Sequence, residues 1–290
     1  MFAITSILPD PPRIKIVDVG AMSLGDEKDP YARLMKAVSC EVIGFEPVAA
    51  ECESLNRKAR PGCMYLPYAV GDGSGQIFHQ CNFPMTSSLL EPNDELLAMF
   101  HDLRDVTRVV EKRRVQTVRL DDLAEVRGVD YLKLDVQGGE LMVLQGAIAT
   151  LRDVLVLHTE IEFLPMYRRQ PLFADIDAFL RGHGFVLHNI LGMKGATFKL
   201  PGIDVELSGT VNQTIWGEVV YVRDFMNLEK LSAAALLKLA VILHENYGSC
   251  DLAGVVLEAH DRKAGTSLTD HYIQCLFEST EQPGAPAVND

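Results

Sequence analysis

The sequence predicts an α/β fold, a mostly parallel sheet with helices on both faces, followed by a helical appendage at the carboxyl end. Three observations predict it. Between Ile14 and Leu157, short β-branched runs alternate with stretches of helical spacing. After Gly184 two strand-like runs follow with no helix between them, which reads as an antiparallel pair closing one edge of the sheet. From Leu228 onward the apolar residues keep a helical period. At 290 residues, 48% of them apolar, the chain can bury one large core and a smaller addition. The expected division is residues 1–225 for the α/β domain, 226–278 for the appendage and 279–290 for a disordered tail with two prolines.

In order, Ile14-Lys15-Ile16-Val17-Asp18-Val19 reads as a buried strand, and Pro30 to Val38 as a helix with Leu34 and Val38 on one face. Glu41 to Phe45 is a second strand, Ala49 to Ala59 a helix stopped by Pro61-Gly62, and Met64 to Val70 a third strand. Tyr131 to Leu134 and Val154 to Leu157 are further strands, separated by a helix from Glu140 to Leu151. Phe185 to His188 and Glu218 to Val222 form the antiparallel pair, with a glycine- and proline-rich loop or irregular hairpin over Gly192 to Gly209. Leu231 to Leu243 and Leu252 to Ala259 make a helical hairpin through Gly248-Ser249, and a third helix lies near His271 to Phe277. One such hairpin cannot bury its own face, so it is expected to dock on the main domain or to form a homodimer.

Composition narrows the partners. A formal charge of −13 gives no basic surface for nucleic acid or an anionic membrane, and Lys112-Arg113-Arg114 reads as a solvated face at a strand start. Six scattered cysteines without a CxxC pair indicate reduced thiols inside the cell. No basic and apolar leader precedes Ile14, and Leu231 to Leu243 is too short to span a bilayer and carries Lys238. A soluble, cytoplasmic protein is expected.

Chemistry-bearing residues sit at the carboxyl ends of the strands, where open α/β sheets bind ligands. Asp18-Val19-Gly20-Ala21 ends the first strand; Gly20 permits a sharp turn and close approach of a cofactor. Glu46, before Pro47, lies 26 residues beyond Gly20, where an acidic side chain can accept both hydroxyls of a ribose or, alternatively, favour the start of the next helix. Val70-Gly71-Asp72-Gly73 ends the third strand, with Asp72 either facing an adenine amino group or making an ordinary turn. Asp135 in Asp135-Val136-Gln137-Gly138-Gly139-Glu140 faces the same cleft as Asp18, and His158, Glu160 and Glu162 place an imidazole and two carboxylates near its mouth.

The ordered set Val17 to Ala21, Phe45-Glu46-Pro47, Ala69 to Asp72, Ser87-Ser88-Leu89, Leu120 to Leu123, Asp130 to Glu140 and Val143 to Ala147 resembles the FkbM-type methyltransferase family. Glu160 to Phe163, Tyr167, Gln170 to Phe173 and Gly184-Phe185 continue the likeness, which runs from about Ile14 to Asp224. The loop Met22 to Gly25 departs from the pattern by being longer. The resemblance implies a Rossmann-like class I methyltransferase fold with a seven-stranded sheet. It also implies S-adenosylmethionine as cofactor and O-methylation of a hydroxyl on a small molecule, natural product or sugar. Asp18, Gly20 and Ala21 would then shape the methionine end, Glu46 and Pro47 the ribose, Val70 and Asp72 the adenine, while Asp135 lines the cleft. His158 is the first candidate for the general base, with Glu160 or Asp135 behind it. No metal ligand is assigned, although Asp135, Glu140, Glu160 and Glu162 together are conceivable ones. The rival readings are an NAD-dependent oxidoreductase, disfavoured by the missing GxGxxG, and a non-catalytic binding module on the same fold. Acceptor contacts are expected from Phe83 to Arg108, Pro165 to Phe173 and Gly192 to Gly209.

Overall fold

The structure, a computed structural model, describes residues 2–22, 29–202 and 212–280. In chain order its main elements are β1 (Ile14–Val19), α1 (Ala32–Ala37), β2 (Cys40–Phe45), α2 (Ala49–Lys58), β3 (Cys63–Leu66), β4 (Gly75–Cys81), β5 (Val109–Gln116), β6 (Tyr131–Leu134), α3 (Glu140–Gln145), β7 (Val156–Glu162), α4 (Phe173–Gly182), β8 (Phe185–Ala196), β9 (Gln213–Arg223), α5 (Ala233–Ile242), α6 (Cys250–Ala264) and α7 (Leu268–Thr280).

Seven strands form one sheet in the order β3-β2-β1-β6-β7-β9-β8, and β4 with β5 forms a separate antiparallel ribbon. β1 pairs parallel with β6, β2 with β3 and β6 with β7, whereas β9 runs antiparallel to both β7 and β8. This is the mostly parallel seven-stranded sheet that the resemblance leads one to expect. Because successive strand residues point to opposite faces, one face carries Val17, Val19, Leu132, Leu134, Leu157 and Ile161. These pack with Val143 and Leu144 of α3 and with Ile176 and Leu180 of α4 in a fully buried core.

Several elements differ from expectation. β7 starts later than Val154 and runs on through Glu162, so His158, Glu160 and Glu162 belong to the strand rather than to a loop after it. β3 stops at Leu66, and Val70 instead makes an isolated bridge to Val118. α3 ends at Gln145 with Gly146 as its cap, and glycine is required there because a Cβ would lie 2.0 Å from the Gly71 carbonyl oxygen. The hairpin strand β8 extends through Ala196 into the expected loop, whose residues 203–209 lie outside the described residues. The tail from 281 onward lies there too, whereas Ser279 and Thr280 belong to α7.

The chain forms two compact units. One comprises residues 16–23 and 42–223; the other comprises residues 1–15, 24–41 and 224–290. The second unit joins the chain's first segment to its last helices. Ile4 N–H donates to Glu245 at 2.7 Å, His244 Nε2 meets the Phe2 carbonyl at 2.8 Å, and Asn246 Nδ2 donates to the Pro30 carbonyl at 2.8 Å. Among the described residues no helix is long and apolar enough to cross a membrane.

Candidate active site

The sheet face opposite the core carries a polar ladder, produced by the same two-residue period that fills the core. Asp18 of β1, Lys133 of β6 and His158 of β7 lie in one register row, and Glu160 and Glu218 face each other two residues further along, on the same face. Lys133 Nζ lies 3.0 Å from Asp18 Oδ1 and 3.6 Å from Asp135 Oδ2, and donates to the Gly20 carbonyl at 3.1 Å. Burial alone would push the Lys133 ammonium toward its neutral form; the two aspartates override it and raise its pKa above the usual lysine range.

That ammonium ties the ends of β1 and β6 together. Gly20 (φ +82°) and Ala21 both donate backbone N–H bonds to the Phe45 carbonyl, at 3.1 and 2.9 Å. A Cβ at Gly20 would lie 1.9 Å from the Asp135 carbonyl oxygen, so only glycine allows the two strand ends to meet. Asp135, with 36% of its side chain exposed, points out from this junction.

The turn after β6 holds the next group. Gln137 is a non-glycine residue at φ +57°, a conformation that costs free energy and persists only where surroundings enforce it. Its Nε2 donates to Asp135 Oδ1 at 2.9 Å and to Glu160 Oε2 at 2.6 Å, and its Oε1 accepts from the Tyr167 hydroxyl at 3.3 Å. Its backbone carbonyl accepts from Ser88 Oγ at 2.7 Å. Tyr167 also donates to the Thr86 carbonyl, and Asn93 N–H donates to the Met166 carbonyl at 2.8 Å. Two of the three expected acceptor loops, Phe83 to Arg108 and Pro165 to Phe173, are thus knitted together around Gln137.

Beneath this turn the carboxylates of Glu140, Glu160 and Glu162 converge, with a ligating oxygen of each within 4.8 Å of the others. Glu140 Oε1 accepts from Val136 N–H at 2.9 Å and Gly138 N–H at 3.3 Å, which fixes the turn. Burial raises the pKa of Glu140 to about 7. Burial, then the neighbouring carboxylates, raises Glu160 and Glu162 well above the ordinary range.

Glu46 lies at the end of β2. One of its oxygens accepts from Val48 N–H at 2.6 Å, the helix-starting role, and its other oxygen has no such bond. Burial raises its pKa to about 7. Arg113 lies beside it, donating to the Pro47 carbonyl at 2.9 Å with its guanidinium 4.9 Å above the Phe78 ring. Arg113 is therefore half-buried by the Glu46 turn, while its neighbours Lys112 and Arg114 are the solvated residues expected. Asp72 is exposed and bonds the backbone and hydroxyl of Ser74 through Oδ1, which lowers its pKa; this is the turn geometry weighed against an adenine contact.

His158 is 4% exposed, deeper in the strand than Glu160. Its Nδ1 lies 3.2 Å from the Tyr131 hydroxyl and its Nε2 lies 3.4 Å from Glu218 Oε2. The structure thus brings Asp18, Gly20, Ala21, Asp135 and Glu160 together and puts His158 behind them. Sequence reasoning assigns no site role to Lys133, Gln137, Tyr167 or Arg113. A lysine inside the apolar run Tyr131-Leu132-Lys133-Leu134 was a signal for the first, since a fully buried lysine requires a partner.

The family model described as the Methyltransferase FkbM domain matches residues 18–187. A curated relative, the 2-O-methyltransferase NoeI of Sinorhizobium fredii, is 28% identical over 189 residues, covering 60% of this chain and 74% of that protein. Among solved structures, the magnesium protoporphyrin IX methyltransferase (ChlM) of Synechocystis PCC 6803, with bound SAM, superposes at a TM-score of 0.37. It is 12% identical over 76% of each chain, too loose a likeness to add to the strand order itself.

Proposed function

Because the chain belongs to the FkbM methyltransferase domain family, which its match over residues 18–187 shows, we propose that it is an S-adenosylmethionine-dependent O-methyltransferase acting on a hydroxyl of a small molecule, natural product or sugar. The name of NoeI, a 2-O-methyltransferase, favours oxygen as the atom methylated. The observation that carries the reading is the junction of β1 and β6, where Gly20 and Asp135 meet under the Lys133 ammonium. Membership of a methyltransferase family disfavours the NAD-dependent reading.

The residues at the strand ends fit such a donor. Gly20 lets the chain turn sharply at the end of β1 beside Asp135, and Glu46 keeps one carboxylate oxygen for a ribose hydroxyl. Val70 and Asp72, through the aspartate's second oxygen, are assigned to the adenine end, with Pro47 beside the ribose. The donor supplies an electrophilic methyl group on a sulfonium. The chain's part is to align the acceptor oxygen with that methyl, a positioning effect of roughly 7–11 kcal/mol, and to remove the hydroxyl proton.

Asp135 is the proton acceptor that the geometry favours over His158, which comes first on sequence grounds. Asp135 is partly exposed at the junction and is held by Gln137, whereas His158 is buried between Tyr131 and Glu218. Glu160, on the same Gln137 amide, stands beside it. Asp135→Asn is expected to lower kcat by about 10²–10⁴-fold with little change in donor affinity. An Asp135→Asn enzyme of full activity, with the loss falling on His158→Ala instead, would return the role to the imidazole.

Calorimetry tests the reading as a whole. One-to-one binding of S-adenosylmethionine and S-adenosylhomocysteine, without NAD binding, is the expected result. Binding of NAD alone, or of none of the three, would overturn it.

A further inference from the structure

We propose that Glu140, Glu160 and Glu162 hold a divalent cation of the hard, oxygen-preferring kind, magnesium, calcium or manganese. Each offers an oxygen within 4.8 Å of the other two, from α3 in one case and from alternate positions of β7 in the others. Glu160 and Glu162 share a face of β7 because they are two residues apart in a strand. The turn bonds to Glu140 Oε1 direct its carboxylate at the same point.

A trio of acids alone would not identify a ligand site. The second observation is Glu162, which is 2% exposed and whose Oε1 is sealed from solvent with no hydrogen-bond partner. The Gln170 amide lies toward it without reaching hydrogen-bond geometry, and Gln170 Nε2 is itself sealed and unbonded. A buried carboxylate oxygen left in this condition is expensive unless something positive meets it. Protein cations do not. Among the described residues no Lys or Arg nitrogen pairs with these three glutamates, and the Lys133 ammonium sits on Asp18 and Asp135. Glu140 receives backbone N–H groups and Glu160 a neutral amide. The donor set is all oxygen, with no cysteine or histidine in the trio, which selects hard cations over zinc or copper. Three carboxylates leave coordination positions that water or a polyhydroxylated acceptor can fill.

The proposal departs from the sequence-based expectation of no metal, and it stands independently of the methyl-transfer reading. Its test uses the full chain freed of metal with a chelator and then titrated with magnesium, calcium or manganese chloride separately. Calorimetry and thermal unfolding are expected to report one ion bound per chain and a rise in Tm for at least one of the three. The rise is expected to vanish in Glu162→Gln and in Glu160→Gln, the second serving should the first not fold. It is expected to persist in Glu53→Gln, whose carboxylate is exposed on α2. No saturable binding of any of the three ions to the wild type would overturn the proposal. So would a Tm rise that survives both substitutions in the trio. Donor binding measured on the same chelated protein separates failure of the metal site from failure of the enzyme assignment.

Discussion

Single residues in this site act through what burial does to charge. Glu46 is the clearest case. Burial raises its pKa to about 7, so it is largely protonated below that value. A ribose diol is bound by the carboxylate form, and donor affinity is therefore expected to weaken as pH falls through about 7. Stability has the opposite sign: a folded pKa above the unfolded value stabilises the ligand-free protein fully only below the unfolded pKa, and that contribution is lost as pH rises through about 7. Calorimetry with S-adenosylhomocysteine between pH 5.5 and 8.5 checks the first statement, and Glu46→Gln is expected to flatten the profile. A profile that keeps its slope in that variant would remove Glu46 from the donor site. Lys133 shows the converse. Lys133→Met strips the partner from Asp18, which is 5% exposed, and is expected to cost about 3–5 kcal/mol of unfolding free energy by urea denaturation. Asp18 is legible in the sequence as a strand-end acid; its pairing with Lys133 is not, because a lone charge in an apolar run shows that a partner is needed but not which one.

At the scale of elements, legibility followed burial. β1 and β6 are legible to the residue because they are buried over nearly their whole length, each with a single charge on the polar face. β7 reads short on sequence grounds because His158, Glu160 and Glu162 break the apolar pattern, and they do so because one of its faces is the polar ladder. The sequence stops resembling a core strand where the strand becomes a wall of the candidate site. The ribbon of β4 and β5 was passed over for another reason. Glu111-Lys112-Arg113-Arg114 reads as a solvated charge run, and only pairing with Ile77, Phe78, His79 and Gln80 reveals a strand with Arg113 turned inward. The turns between elements carry their own prediction. Gly20→Ala forces a Cβ toward the Asp135 carbonyl at a backbone angle that alanine avoids. It is expected to destabilise the fold by about 1–3 kcal/mol or more and to abolish donor binding. An alanine variant that melts like wild type and binds the donor would show that β1 and β6 need not meet so closely.

For the whole molecule, the lesson is that the chain's ends fold together. Every residue of the polar ladder up to β7 lies within the span 18–187 that defines the family, and on sequence grounds residues 1–225 make a domain with a separate appendage. The contacts divide the chain otherwise. Residues 1–15 and 24–41 group with 224–290, and Ile4, fully buried, hangs its backbone N–H on Glu245. The Phe2 ring packs at a tilt against His244 and Tyr272, with ring centres 5.0 and 5.6 Å away, and Leu34 N–H donates to Asn246 at 3.3 Å. No local pattern reports such pairing, since it joins residues more than two hundred positions apart. A chain truncated after residue 225 keeps the expected donor and catalytic residues but removes the partners of Ile4, Leu34 and Phe2. Its amino-terminal segments would present apolar surface to water, so the truncated protein is expected to lose its cooperative melting transition and to aggregate. Ile4→Ala in the full chain gives the milder version, a loss of about 2–5 kcal/mol. Should the truncated chain melt cooperatively at the full-length Tm, the first forty residues would be independent of the last helices, and the boundary drawn on sequence grounds would stand.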